Sequence, residues 1–151
     1  MPGFTRSFLF PDINVWVALT YERHVHHDVA ADWFESLDGN ARLHFCRHTQ
    51  LGLLRLLTSE AVMSDEVMTQ KGAWFLYDRW QADDRVGFAD EPPELEHRFR
   101  ALSRRNQSSP KAWAGAYLAA FAAASQMTLV TFDRSFRGQA PAMILLGDNA
   151  S

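Results

Sequence analysis

SFLFPD, residues 7–12, decides the fold. It is a short apolar run closed by Pro-Asp, and it reads as a buried strand with an acid just beyond its carboxyl end. A second run of the same kind, TLVTFD, occupies residues 128–133, a strand over 128–132 followed by another acid. Between them, strand and helix patterns alternate. Residues 24–37 read as a helix whose apolar face carries Val29, Trp33 and Leu37 with Ala30 and Phe34 beside them, ended by Asp38-Gly39-Asn40. Residues 43–46 read as a short strand, and 49–58 as a helix with Leu53, Leu54 and Leu57 inward. Residues 59–68 connect to a helix capped by Thr69 that runs to Ala82, with Ala73, Leu76, Tyr77 and Trp80 as its stripe. A strand is predicted over 86–89, and Pro92-Pro93 opens the next helix, faced by Leu95, Phe99 and Leu102. After the loop 106–110, residues 112–125 read as an Ala-rich helix with Trp113, Tyr117 and Phe121 four apart, and 142–146 as a last strand. This alternation predicts an α/β fold with a mostly parallel sheet. Such sheets take their ligands beyond the carboxyl ends of the strands, which places Asp12 and Asp133 in one crevice.

The composition bounds what that crevice can belong to. The chain has 151 residues, 47% hydrophobic and 13% aromatic, which suits one domain over residues 1–151 with a sizeable core. At 22% charged residues it does not read as disordered. A net charge of −3 excludes a wholly basic nucleic-acid coat but leaves room for a local basic patch. The single cysteine, Cys46, excludes an intramolecular disulfide and a Cys-rich zinc site, and within LHFC it reads as a small buried hydrophobe. The N-terminal apolar run, broken by Pro11 and Asp12, is too short for a signal peptide. No segment reaches the roughly 18–20 apolar residues of a membrane helix; residues 112–130 come nearest, interrupted by Gly115, Ser125 and Gln126. A cytoplasmic protein with no membrane partner is expected.

Two carboxylates at neighbouring strand ends are the usual means of holding Mg²⁺ or Mn²⁺, the remaining ligands being water and substrate phosphate. Such an ion activates water and neutralises charge building on a phosphodiester. Asn14, two residues beyond Asp12, is placed to orient that carboxylate or a bound water. Thr131, two residues before Asp133, shares its face of the strand.

The segments FPDINVWVAL (10–19), RHTQLGLLRLLT (47–58), AWAGAYLAAFA (112–122) and LVTFDRSF (129–136) occur in the order and spacing of PIN-domain ribonucleases. The chain most resembles the VapC toxins of bacterial toxin–antitoxin pairs, from about Phe8 to Phe136. The resemblance implies a three-layer fold, a central parallel sheet with helices on both faces, and an acidic pocket binding Mg²⁺ or Mn²⁺. It also implies cleavage of single-stranded RNA and neutralisation by a cognate antitoxin. Asp12 and Asp133 carry over as catalytic and metal-binding acids. The family's acid at the opening of the late helix does not: that position is Gly115. A Glu common in the second-helix motif is here Gln50, or Gly52 in another register. A weakened site, an inactivating substitution, or a substitute acid would each account for Gly115, and Glu91 is the candidate substitute.

The expected function is therefore a Mg²⁺- or Mn²⁺-dependent endoribonuclease toxin impaired at Gly115. The alternative is a catalytically inactive PIN-fold interaction protein. Phosphoryl transfer through an aspartyl intermediate at Asp12 is a third class, without a basic partner motif to support it. Arg134 and Arg137, just after Asp133, are candidates for holding RNA phosphates. Arg98, Arg100, Arg104 and Arg105 read as ordinary cations near a helix end, and Arg55, among leucines, as a partly buried packing or ion-pair residue. His24, His26 and His27, and His44 with His48, read as turn and surface residues rather than metal clusters. The aromatic surplus of Trp74, Phe75, Tyr77 and Trp80 serves the core and a protein interface, and a homodimer is expected.

Overall fold

β1 (Ser7–Pro11) is the middle strand of a five-stranded sheet in the order β3-β2-β1-β4-β5, with β2 at Ala41–Phe45, β3 at Val86–Phe88, β4 at Thr128–Thr131 and β5 at Met143–Leu145. Every pairing is parallel. The structure, a computed structural model, describes residues 6–147. The first five residues of the N-terminal run and residues 148–151 of the single domain expected over 1–151 lie outside the described residues.

A parallel sheet needs crossover helices on its faces, and the described residues hold seven α-helices: α1 (Ile13–Thr20), α2 (His27–Glu35), α3 (Arg47–Leu57), α4 (Glu60–Met63), α5 (Gln70–Gln81), α6 (Leu95–Ser103) and α7 (Ala112–Ala124). Side chains alternate across each strand, so two cores form. Leu9, Leu43, Phe45 and Val130 pack with α1, α2, α3 and α5 on one face. Phe10 and Leu129, paired in register, pack with α6 and α7 on the other. The α/β fold with a parallel sheet is the one the alternation predicted, and the helices on both faces are what the resemblance implied.

Several local expectations are corrected. Residues 13–20, INVWVALT, are apolar on every side and carry no helix signature, yet they form α1, in which Val15 through Leu19 are all buried. A helix that is apolar all round belongs in a core, and only the packing reveals it. In α2, Ala30 is buried while Val29 is 42% exposed, so the inward face is rotated toward Ala30, Trp33 and Phe34. The connection 59–68 contains the short α4 and a 3₁₀ turn, Ser64–Glu66. The helix after Pro92-Pro93 begins only at Leu95. Arg55 is exposed rather than partly buried.

Trp16 anchors the first core. It is fully buried, stacks on Phe45 with ring centroids 3.9 Å apart and meets the edge of Trp80. Truncating so large a side chain costs about 3–5 kcal/mol. α1 and α3 pass so closely that a Cβ on Gly52 would lie 2.7 Å from Ile13 Cγ1 and collide with its Cδ1. Gly52→Ala is therefore expected to destabilise by about 1–3 kcal/mol through overpacking, with Ile13→Ala in the same chain recovering part of the loss. Denaturant unfolding of the single and double variants measures the coupling; purely additive losses would show that the two helices do not meet there.

Candidate functional site

β1 and β4 lie side by side, and the chain leaves them for opposite halves of the sheet. This is the point where an open parallel sheet presents a crevice at its carboxyl edge. Pro11, last in β1, has no N–H to donate. The next residue continues the ladder, the Asp12 N–H donating to the Val130 carbonyl at 2.8 Å. Asp12 then caps α1: its Oδ1 accepts the Ile13 N–H at 2.7 Å.

The Thr131 hydroxyl joins the two strand ends. It donates to Asp12 Oδ2 at 2.8 Å and accepts the Asp133 N–H at 3.0 Å and the Asn14 side-chain amide at 3.4 Å. A hydroxyl has one proton and two lone pairs, and all three are engaged. Asn14 closes the loop, its Oδ1 accepting the Phe132 N–H at 3.4 Å. Asp133 turns its Oδ1 to the Ser135 N–H at 2.9 Å, capping a 3₁₀ turn over Arg134–Phe136. Thr131 is fully buried and Asp12 8% exposed, whereas Asp133 is exposed. Thr131 thus meets the Asp12 carboxylate directly, whereas Asn14 reaches it only through the Thr131 hydroxyl.

Burial raises the Asp12 carboxyl above the ordinary carboxylate range. Hydrogen bonds from Thr131 and Ile13 pull it down, and the charge of Asp133 adds to the rise.

Both acids open into a cleft of about 460 Å³ that Gly115, His48, Lys111 and Arg105 also line. Gly115 is in the first turn of α7, and a Cβ there would lie 3.7 Å from the Phe136 ring, an ordinary contact. His48 is half-buried; burial and the charge of Arg55 hold its imidazole below the ordinary histidine range. Lys111 and His48 were not legible as cleft residues, because nothing in their local sequence says which way they face. Arg105 was legible only as a helix-end cation. Arg134 and Arg137 flank Asp133 but are not among the residues lining this cleft.

The candidate substitute acid does not reach the cleft. Glu91 accepts a hydrogen bond from the Tyr117 hydroxyl at 2.6 Å and does not line the cleft. Gln50 is buried, with its Oε1 accepting from Arg47 at 2.7 Å. The histidines after α1 have structural partners: His24 Nδ1 accepts the His26 N–H, His26 stacks on Phe132, and His27 Nδ1 donates to the Ala18 carbonyl at 2.7 Å. Among the described residues no group of three or more His, Cys, Asp or Glu gathers at a possible metal site. Cys46 is buried and caps α3, and burial pushes its thiol up, so it is inert packing.

Alongside the acidic cleft runs an apolar groove of about 790 Å³ between α3 and α5, sharing Ile13, His48 and Ala114 with it and edged by Leu51, Arg55 and Trp74. Leu51, Trp74 and Phe75 are 62%, 48% and 63% exposed, while Tyr77 is buried. The aromatic group on α5 therefore splits between core and surface. Among the described residues no helix is long and apolar enough to cross a membrane.

Asp12 keeps its proton to higher pH in the folded chain than in the unfolded one. Folding therefore loses stability as pH rises from the unfolded carboxyl value, near 3.8, through the folded one. An asparagine can still cap α1 and accept from Thr131. In chelator buffer Asp12→Asn is expected to melt higher than the parent at about pH 7, the difference vanishing below about pH 3.8. Calorimetry across that range measures it; a parent that melts at or above the variant at neutral pH would contradict the stated balance.

Residues 9–140 match the model of the PIN domain. The chain is 41% identical over 132 residues to the ribonuclease VapC41 of Mycobacterium tuberculosis, covering 85% of this chain and 90% of that one. Among solved structures it is similar to VapBC2 from Rickettsia felis bound to a promoter DNA fragment, with a TM-score of 0.66 and 13% identity over 92% of this chain and 98% of that one. It is also similar to Mycobacterium tuberculosis VapC20, a sarcin-ricin loop cleaving toxin, with a TM-score of 0.63 and 17% identity over 85% of this chain and 92% of that one.

Proposed function

The chain belongs to the PIN-domain family, among the VapC-like ribonucleases, and from that premise we propose that it is a divalent-metal-dependent endoribonuclease toxin acting on single-stranded RNA. One observation carries the reading: Asp12 and Asp133, tied together through Thr131, share a cleft with the helix turn that holds Gly115.

The donor set suits one hard cation. Two carboxylates supply oxygen ligands, and Mg²⁺ or Mn²⁺ held in this way keeps most of its water. The crowding of Asp133 against a buried Asp12 favours a counter-charge. Asp12 and Asp133 would hold the ion, with Asn14 and Thr131 fixing the first carboxylate. When bound, the ion supplies Lewis acidity toward a phosphodiester oxygen and lowers the pKa of water. The chain's own part is positional. Thr131 keeps Asp12 Oδ2 oriented by its donated proton, and the neutral His48 adds no repulsion toward an incoming cation. Gly115 contributes no ligand, so metal affinity and rate are both reduced.

Two partners follow from the family reading. A cognate antitoxin is supported by the apolar groove that adjoins the acidic cleft, a seat from which a bound segment covers the acids. A homodimer is supported by exposed Trp74 and Phe75 on α5; sedimentation equilibrium at micromolar concentration is expected to give twice the chain mass, and a monomer would count against it.

The second reading is a non-catalytic interaction protein that keeps the fold and has lost its chemistry. Gly115 and Gln50, at positions where the resemblance calls for acids, favour it. Restoring the acid separates the two. The space at position 115 takes a Cβ without displacing Phe136. Gly115→Asp is therefore expected to lower stability slightly in metal-free buffer, increase thermal stabilisation by Mn²⁺ and speed RNA cleavage together. Each tenfold gain in affinity adds about 1.4 kcal/mol once the metal is in excess. A variant with neither tighter metal binding nor faster cleavage would remove position 115 from the site. A parent that cleaves no RNA while Gly115→Asp does would establish the second reading for the native sequence.

A further inference from the structure

The segment RRNQSSPK, residues 104–111, joins α6 to α7 along the rim of the acidic cleft. On its far side lies a second cavity of about 360 Å³, lined by Arg105, Gln107, Ser108, Ser109 and Trp113 among others. The two cavities adjoin: Arg105, Ser109 and Ala112 line both. Trp113, second residue of α7, is 58% exposed. The edge-on ring of Phe99, with centroids 6.1 Å apart, braces it. Neither Arg105 nor Lys111 has a carboxylate partner among the described residues, although Arg23, Arg85 and Arg100 all do.

We propose that this second cavity is a nucleotide subsite: a single-stranded RNA leaving the carboxylates lays a backbone phosphate on Arg105 and stacks the adjoining base on Trp113. The proposal rests on the ribonuclease reading of the adjoining cleft. The chemistry of the wall selects the occupant. An indole face stacks any base, a guanidinium pairs a phosphate through two parallel hydrogen bonds, and the amide and hydroxyls of Gln107 and Ser108 serve base edges or the 2′-hydroxyl. Arg105, common to both cavities, marks the path by which a strand passes from one to the other.

The test is binding in chelator, where no metal-dependent cleavage intervenes, using a short oligouridine and an abasic sugar-phosphate oligomer of equal length. Trp113→Ala is expected to weaken the oligouridine by about fivefold or more and to leave the abasic oligomer unchanged, while Trp113→Phe retains the base-dependent part. Arg105→Gln is expected to weaken both and to reduce the slope of log affinity against log salt by about 0.7. Trp113 is exposed, so its variants retain the parent's unfolding transition. If the parent binds oligouridine and both variants bind it equally well, the subsite is wrong and the ribonuclease reading stands. If the parent binds neither oligomer, both fall together. If the variants lose only binding of a protein partner, the face is a protein interface and the proposal is overturned.

Discussion

The hydroxyl of Thr131 is the interaction on which the site depends. It spends its one proton on Asp12 and takes N–H donors from Asp133 and Asn14. β1 and β4 thereby end at a fixed offset, with one acid buried and the other exposed. The parallel ladder brings these ends adjacent, through Pro11 opposite Val130. The hydroxyl converts adjacency into orientation, because a buried carboxylate deprived of its donor bears the full cost of desolvation.

The electrostatics of the cleft follow from that arrangement. Two carboxylates line the cleft together with Lys111 and Arg105, and with His48, whose imidazole burial holds below the ordinary histidine range. An acidic pocket rimmed by cations suits a cation at its centre and a polyanion across its mouth. Gly115 adds no carboxylate to that pocket and so no further repulsion of phosphate.

Core packing reaches the site through α1. Asp12 caps this helix, Ile13 fits over the bare Cα of Gly52, and Trp16 stacks on Phe45 at the end of β2. The position of the first carboxylate is thus set by two helices in close approach. The same approach means that a side chain at residue 52 would have to displace Ile13. Ile13 also lines both the cleft and the apolar groove, so a segment bound in the groove lies directly beside the acids.

Most of the layer order was legible in the sequence, because strand runs and helical stripes have different periods and because Asp12 and Asp133 close two of the strands. The contact of Thr131 with Asp12 was legible in part, because period-2 geometry puts Thr131 on the face of the strand that leads to the acids. The chain alone concealed α1, whose apolar residues on every side leave no stripe to detect, and the rotation of α2. It also concealed the fates of Glu91, Gln50 and Gly52, and the gathering of His48, Arg105, Lys111 and Trp113 around two adjoining cavities. Those residues come from α3, from the loop before α7 and from α7 itself. Periodicity reports which side of its own element a residue occupies; only the packing of one element on another decides what that side faces.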